Sequence, residues 1–273
     1  MRKKIVVLTG AGISAESGIK TFRDSGGLWE GHDVMEVASP EGWARNQELV
    51  LDFYNQRRKQ ALTASPNAGH LAQAELEKDY EVVIITQNVD NLHEKAGSTN
   101  VLHLHGELFK VRSTLDESLV YDLDGWELKT GDLCDKGSQL RPHIVWFGEM
   151  VPMMEVAIEQ TMQADVLMVV GTSLVVYPAA GLLDYVGSGV PKIIVDPNMP
   201  SLRSNQSIKF FIEPASTGRS TESIRLYKII RLKNSSSQRG FCITHLINFI
   251  KCKNISSLAL ATIYTVSKRP RQP

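Results

Sequence analysis

The sequence predicts a doubly wound α/β fold: a buried parallel sheet with helices on both faces and a small lobe inserted into it. Two observations carry this expectation. Four short apolar runs rich in β-branched residues, at 5–8, 82–86, 166–170 and 192–196, are each bounded by glycine, proline or polar residues and lie 20 or more residues apart. Short runs at helix-length intervals mark strands buried on both faces and joined by crossover helices. The second observation is a glycine turn, Thr9-Gly10-Ala11-Gly12, directly after the first run. Such a turn is where a sheet of this kind passes from strand to helix.

The elements follow in order. A Gly-x-Gly turn of the Rossmann-like type lets the backbone approach a pyrophosphate, which then rests on helix N–H groups. Ala15 stands where a third glycine is usual. Taken alone, the turn serves equally as a strand–helix junction with no ligand. About 20 residues on, a dehydrogenase needs an acidic residue ending a second strand. Here the chain reads Thr21-Phe22-Arg23-Asp24-Ser25-Gly26-Gly27-Leu28-Trp29 instead, a polar loop in which Phe22 suits covering a flat ring and Arg23 suits a phosphate. Helical patterns occupy 48–62 and 67–78, with Ser65-Pro66-Asn67 as the break and cap between them.

After the run 82–86 comes Gln87-Asn88-Val89-Asp90-Asn91-Leu92-His93. At the C-terminal edge of a parallel sheet these amides and this carboxylate suit ribose hydroxyls and a carboxamide, or else a capped helix start. Leu102-His103-Leu104-His105-Gly106 sets two histidines on one face of an extended segment, where a ring titrating near neutrality serves as a general base or as a structural residue. Residues 107–139 are polar, contain Gly125, Gly131 and Gly137 and lack a long periodic helix, so they read as the inserted lobe. Residues 142–149, Pro-His-Ile-Val-Trp-Phe-Gly-Glu, read as a strand that lies in the core or offers an edge to an extended peptide.

The 273 residues suit one large domain, or one domain with a smaller lobe, and 42% are hydrophobic, enough for a real core. The 30 basic and 30 acidic side chains balance, but unevenly: residues 1–218 hold 19 basic and 29 acidic, whereas residues 219–273 hold 11 basic and only Glu222. The acidic body is unlike a nucleic-acid or membrane-surface binder, so the basic tail is the only hint of such a partner. Three cysteines, Cys134, Cys242 and Cys252, do not make a disulfide framework. The apolar run after Met-Arg-Lys-Lys is too short for a signal peptide and no run approaches the ~18 residues of a membrane span. A cytoplasmic protein is expected.

The string Gly10-Ala11-Gly12-Ile13-Ser14 with Ser17-Gly18-Ile19 and Phe22-Arg23 resembles the sirtuin signature. So do residues 86–93, His105-Gly106, residues 142–149 and Gly171-Thr172-Ser173-Leu174-Val175-Val176, in that family's order and spacing over residues 5 to about 198. The resemblance implies an NAD-dependent protein lysine deacylase that consumes NAD as a co-substrate and acts on acyl-lysine proteins, in a domain spanning 1–218 with lobe insertions at about 20–65 and 107–139. It implies that Gly10, Ala11, Gly12 and Arg23 hold the pyrophosphate side of NAD, that Phe22 shields the reacting sugar carbon, and that Trp29 and Val89 belong to the same pocket. Gln87 and Asn88 would bind ribose, Asp90 the carboxamide, and Gly171, Thr172, Ser173 and Asn198 the adenosine half. His105 would be the general base, taking a proton from a ribose hydroxyl once the acyl oxygen has displaced nicotinamide. The peptide would add as a strand beside Val145, Phe147, Gly148 and Glu149.

Tyr54 and Arg57, three apart on a predicted helix, share a face and resemble the Tyr-x-x-Arg of sirtuins that remove succinyl and malonyl groups. A guanidinium grips a carboxylate through two parallel hydrogen bonds and a phenol adds a third, while acetyl offers neither anything to hold. Without the resemblance, the run Arg57-Arg58-Lys59 reads as a solvated basic face. Most sirtuins hold a structural zinc through two Cys-x-x-Cys pairs, which would fall at Ser113/Asp116 and Leu133/Lys136. Only Cys134 lies near, one position out of register, so zinc is expected to be absent and the lobe to be held by Leu115, Leu119, Tyr121, Leu123 and Trp126. The tail at 219–273 departs from the family and reads as poorly ordered or as a basic arm. The alternatives are an NAD-dependent mono-ADP-ribosyltransferase or an inactive NAD- or peptide-binding module.

Overall fold

All four apolar runs become strands of one six-stranded parallel sheet. The structure, a computed structural model, describes residues 2–19, 31–198, 208–212 and 214–215, and residues 28–29 by their backbone. The basic segment 219–273, with the expectations attached to it, lies outside the described residues. In chain order the elements are β1 Lys4–Thr9, α1 Ala11–Ala15, β2 Leu28–Trp29, β3 His32–Asp33, α2 Val34–Val37, α3 Pro40–Arg45, α4 Gln47–Thr63, α5 Ala68–Leu76, β4 Glu81–Thr86 and α6 Leu92–Lys95. There follow β5 Val101–His103, β6 Gly106–Ser113, β7 Val120–Asp122, β8 Leu140–Ile144, α7 Met154–Met162, β9 Val166–Val170, β10 Lys192–Val195 and β11 Ile208–Phe211. Among the described residues no helix is long and apolar enough to cross a membrane.

The order in the sheet is β11-β10-β9-β1-β4-β5, every pair parallel. From central β1 the chain winds outward through β4 and β5, then returns to the other flank of β1 as β9 and continues to β10 and β11. The winding reverses between β1 and β9, and a crevice opens where the two connections leave in opposite directions. The uninterrupted apolar character of the runs has a direct cause. Val6 and Leu8 pack into one buried cluster with Val83, Ile85, Leu167 and Val169, while Ile5 and Val7 pack into another with Ile84, Met168 and Val170. Both faces of the strand are covered.

The small lobe is built on α2–α4 and an antiparallel sheet in the order β7-β6-β8. It therefore reaches Ile144, beyond the expected limit at 139, because β8 pairs along β6. Its core is Val37, Trp43, Val50, Phe53, Tyr54, Leu108, Val111, Leu128, Ile144 and Trp146, with Tyr121 and Leu123 packed against it. Leu115, expected to hold the lobe, is 70% exposed, in a turn whose N–H groups at 115 and 116 donate to Ser113 Oγ. Helix α4 starts on Asn46, whose Oδ1 accepts from Leu49 N at 3.1 Å. Arg58 is fully buried and donates through Nε to Leu108 O at 2.7 Å and through Nη1 to Asn55 Oδ1 at 2.8 Å. Asn55 in turn exchanges both hydrogen bonds with the Leu128 backbone. Of the basic run, Arg57 and Arg58 are buried, which disfavours the solvated-face alternative, while Lys59 is exposed and lies over the Trp126 ring at 3.5 Å.

The residues at the zinc positions do not fit that ion. Asp116 Oδ2 accepts from the Lys136 ammonium at 2.8 Å, so a fixed cation already stands where a ligand is needed. Ser113 and Ser138 hydroxyls lie 2.8 Å apart, with the Cys134 sulfur 3.3 and 3.2 Å from them. Among the described residues no group of three or more His, Cys, Asp or Glu side chains is arranged to hold a metal ion.

Candidate active site

Two βα turns meet backbone to backbone at the base of the crevice. Gly12 N donates to Gly171 O at 2.8 Å and Gly10 N to Val170 O at 3.2 Å. A Cβ on Gly12 would stand 2.7 Å from Gly171 O. Gly171 has φ +63°, and a Cβ there would collide with Ile13 N. Both glycine N–H groups are bonded to the neighbouring turn, so here the glycines serve the close approach of the two backbones.

Above this base the ends of β4 and β5 bring the predicted polar residues together. Asn88 Nδ2 donates to Gly10 O at 3.1 Å and to Ser14 Oγ at 3.0 Å. Ser14 Oγ donates to Asp90 Oδ2 at 3.0 Å, and Asp90 Oδ1 accepts from Leu92 N, so Asp90 is both part of the crevice and the starter of α6. Burial pushes the Asp90 carboxyl up, partly offset by these donors. Gln87 Nε2 donates to Thr172 Oγ1 at 3.1 Å, linking the ends of β4 and β9. Ser173 follows, half-buried, and Asn198 is exposed beyond β10 with its N–H donating to Asp196 Oδ1. Val89 is half-buried and its carbonyl accepts from Leu108 N at 2.8 Å. Ala11 is exposed at the mouth of the turn. Phe22 and Arg23 lie outside the described residues, as does the Trp29 side chain.

The two histidines of the Leu102–Gly106 segment point alike and differ in charge. His105 Nδ1 lies 3.0 Å from Gln87 O. A carbonyl only accepts, so Nδ1 carries the proton and Nε2 presents a lone pair. Burial holds His105 below the ordinary histidine value, so the ring is neutral at pH 7. His103 faces two acceptors, Asn88 O at 3.0 Å and Glu94 Oε1 at 2.7 Å. Burial pulls its pKa down, but the Glu94 carboxylate outweighs that and the net shift is upward, toward an imidazolium that clamps the Asn88 backbone. Gly106, at φ +84°, follows at once, because a Cβ there would run into His143 O.

A second histidine pair lies deeper. His70 and His93 are fully buried with ring centroids 4.9 Å apart, and His93 Nε2 meets Thr9 Oγ1 at 3.0 Å. Burial pushes them down to about 4 and about 3. The unfolded chain protonates these rings near pH 6.5 (about the free value), the folded chain only well below it. Their stabilising share is therefore whole above pH 6.5 and is lost as pH falls from about 6.5 toward 4. Urea midpoints between pH 7.5 and 5 are expected to drop more steeply in the wild type than in His70→Gln; parallel curves would contradict the assignment.

On the lobe side, Tyr54 is fully buried and its Oη accepts from Trp146 Nε1 at 3.0 Å. Burial pushes the phenol up to about 12, so it stays a donor at every physiological pH. Arg57, 8% exposed, lies with Cζ 5.7 Å from the Phe53 ring centroid. Residues 142–149 are not one strand. β8 stops at Ile144, and residues 145–149 turn because the Glu149 carboxylate reaches back to Trp146 N at 2.7 Å and to Arg141 and Arg112. The Glu149 side chain thus faces inward, toward Arg141 and Arg112. Val145 N donates to His105 O at 3.0 Å, which seats this segment beside the candidate base, with Phe147 46% exposed and Gly148 exposed.

Two residues that the sequence reasoning did not single out emerge here. Ser14 stood in the quoted glycine string but is the hub joining Asp90 to Asn88. Trp146 showed no signal beyond its aromatic type. Ser14→Ala is expected to lower unfolding free energy by about 1–3 kcal/mol, since it strips one donor from the buried Asp90 carboxyl and one acceptor from the Asn88 amide. Unchanged urea denaturation would show that the hydroxyl is dispensable.

Comparison with known proteins agrees with this geometry. Residues 10–178 match the Sir2 family. An NAD-dependent protein deacylase of Helicobacter pylori (strain J99 / ATCC 700824) is 56% identical over 215 residues, covering 78% of this chain and 91% of the relative. One from Bacteroides thetaiotaomicron is 52% identical over 221 residues, 79% of this chain and 94% of the relative. A solved Sir2 homolog–NAD complex superposes with a TM-score of 0.74 at 39% identity, covering 84% of this chain and 91% of that one. A Sir2 bound to acetylated peptide gives 0.67 at 28% identity, with 83% and 93% covered. With the match spanning both turns of the crevice, His105 and the lobe, the chain belongs to the Sir2 family.

Proposed function

We propose that this chain is an NAD-dependent protein lysine deacylase that removes succinyl and malonyl groups in preference to acetyl. The observation that carries the deacylase reading is the tautomer of His105, held with Nε2 free at the end of the strand that borders the crevice. The relatives' shared name, NAD-dependent protein deacylase, supports the same reading.

The residues fit a dinucleotide. The Gly12–Gly171 approach leaves no side chain between the turns, Gln87 and Asn88 offer amides, and Asp90 offers a buried carboxyl beside them. NAD, when bound, supplies an electrophilic sugar carbon and nicotinamide as leaving group. Gln87 and Asn88 orient the ribose, Asp90 the carboxamide, and Thr172, Ser173 and Asn198 the adenosine half at the ends of β9 and β10. His105 Nε2 would take a proton from a ribose hydroxyl. The acyl-lysine peptide runs beside Val145, Phe147 and Gly148, while Glu149 braces that turn from beneath.

The acyl preference rests on the lobe. The Arg57 guanidinium lies on the same face of α4 as the Tyr54 phenol, a pairing of a cation and a hydroxyl donor suited to a carboxylate and without advantage for a methyl group. Mass spectrometry of acetyl-, succinyl- and malonyl-lysine peptides, with and without NAD, tests both parts. NAD-dependent loss of acyl groups, fastest for the two acidic ones, is expected. ADP-ribose appearing on protein with acyl groups intact would overturn the deacylase reading, and equal rates would overturn the preference.

A further inference from the structure

We propose that Trp146 is a specificity-determining positioning residue: its indole N–H fills one acceptor position of the Tyr54 hydroxyl and so turns the hydroxyl's own proton toward the acyl carboxylate. This rests on the acidic-acyl reading above. A phenolic oxygen both donates and accepts, and its O–H prefers the ring plane, with two in-plane directions available. Trp146 Nε1, donor only, stands 3.0 Å from Tyr54 Oη. The O–H has to point away from it. With both rings buried, Tyr54 at 0% and Trp146 at 2%, bulk water does not compete with the indole for the acceptor position.

The indole is held by contacts on several sides. The Arg141 guanidinium lies over its ring, Cζ 3.3 Å from the centroid, and the Trp43 ring lies 5.8 Å away. Arg141 also binds Ile144 O at 3.0 Å and Glu149 at 2.6 Å, and Glu149 binds Trp146 N. The peptide-side turn and the acyl-side phenol thus share one frame, running Glu149, Arg141, Trp146, Tyr54. Trp146 itself reaches the acyl group only through Tyr54. An acetyl group has no carboxylate to receive the phenol's proton, so the link matters only for acidic acyl groups.

Kinetics of Trp146→Phe, Tyr54→Phe and the double variant on succinyl- and acetyl-lysine peptides test this. Trp146→Phe is expected to raise KM for the succinyl peptide about three- to tenfold, the scale of one hydrogen bond, with kcat nearly unchanged and acetyl KM moving less than about twofold. In the Tyr54→Phe background the same substitution is expected to leave the succinyl/acetyl ratio where it is, because its only route is gone. Should Trp146→Phe fold poorly by thermal melting, β-(3-benzothienyl)alanine at 146 keeps the shape, lacks the N–H and gives the same reading. Equal losses on both peptides, or effects that add in the double variant, would overturn the role of Trp146. A wild type without succinyl preference would instead overturn the acidic-acyl reading and this proposal with it.

Discussion

His105→Ala is expected to lower kcat/KM on every acyl-lysine peptide by about 10²–10⁴, the usual range for removal of a positioned general base. The ring contributes at one atom. Nδ1 is tied to Gln87 O, so Nε2 is the basic nitrogen, and burial keeps the ring neutral at pH 7. The same shift fixes the sign of the pH dependence. In the proposed role activity requires the unprotonated ring, so it is expected to fall on the acid side, and because burial lowers the pKa that limb is expected below about pH 6.5, the free histidine value. His105→Ala should lose the limb together with the rate, while NAD binding by calorimetry stays within about threefold, since the amides and glycines that would hold it are untouched. Wild-type turnover in His105→Ala would remove the central element of the proposed function.

Arg57→Met is expected to cut kcat/KM for succinyl-lysine peptides by about 100-fold or more and for acetyl-lysine peptides by less than about threefold. A site built to hydrogen-bond a charged group loses most when that bond goes, whereas the neutral substrate never made it. Methionine keeps the unbranched stem against Phe53, so the buried face of α4 and its Asn55–Arg58 anchor stay filled. Side-by-side progress curves on both peptides check it. Equal losses would mean that Arg57 supports the lobe and does not read the acyl group.

Much of this was legible before any coordinates. β-branched runs bounded by breakers became β1, β4, β9 and β10 because a strand covered on both faces has no polar positions to interrupt it. The glycine turn, Asn88, Asp90 and His105 announced themselves through residue type at strand ends. Less was legible in the lobe. Residues 142–149 read as one strand because every residue there suits a strand, yet the strand ends at Ile144, where a distant pair, Arg112 and Arg141, draws Glu149 inward. Leu115 read as core by type and sits in an exposed turn.

Local residue type and spacing were enough for the winding of the sheet, the place of the crevice and the family, since these depend on periodicity and on turns that only glycine tolerates. Tertiary structure alone decided which members of equivalent pairs do what. His103 and His105 are alike in sequence, but Glu94 charges one and Gln87 O sets the tautomer of the other. Arg57 and Arg58 are alike in sequence, but backbone carbonyls from the lobe claim Arg58 and leave Arg57 beside Tyr54. Protonation, hydrogen-bond direction and burial are set by neighbours brought from far along the chain, and no local pattern encodes them.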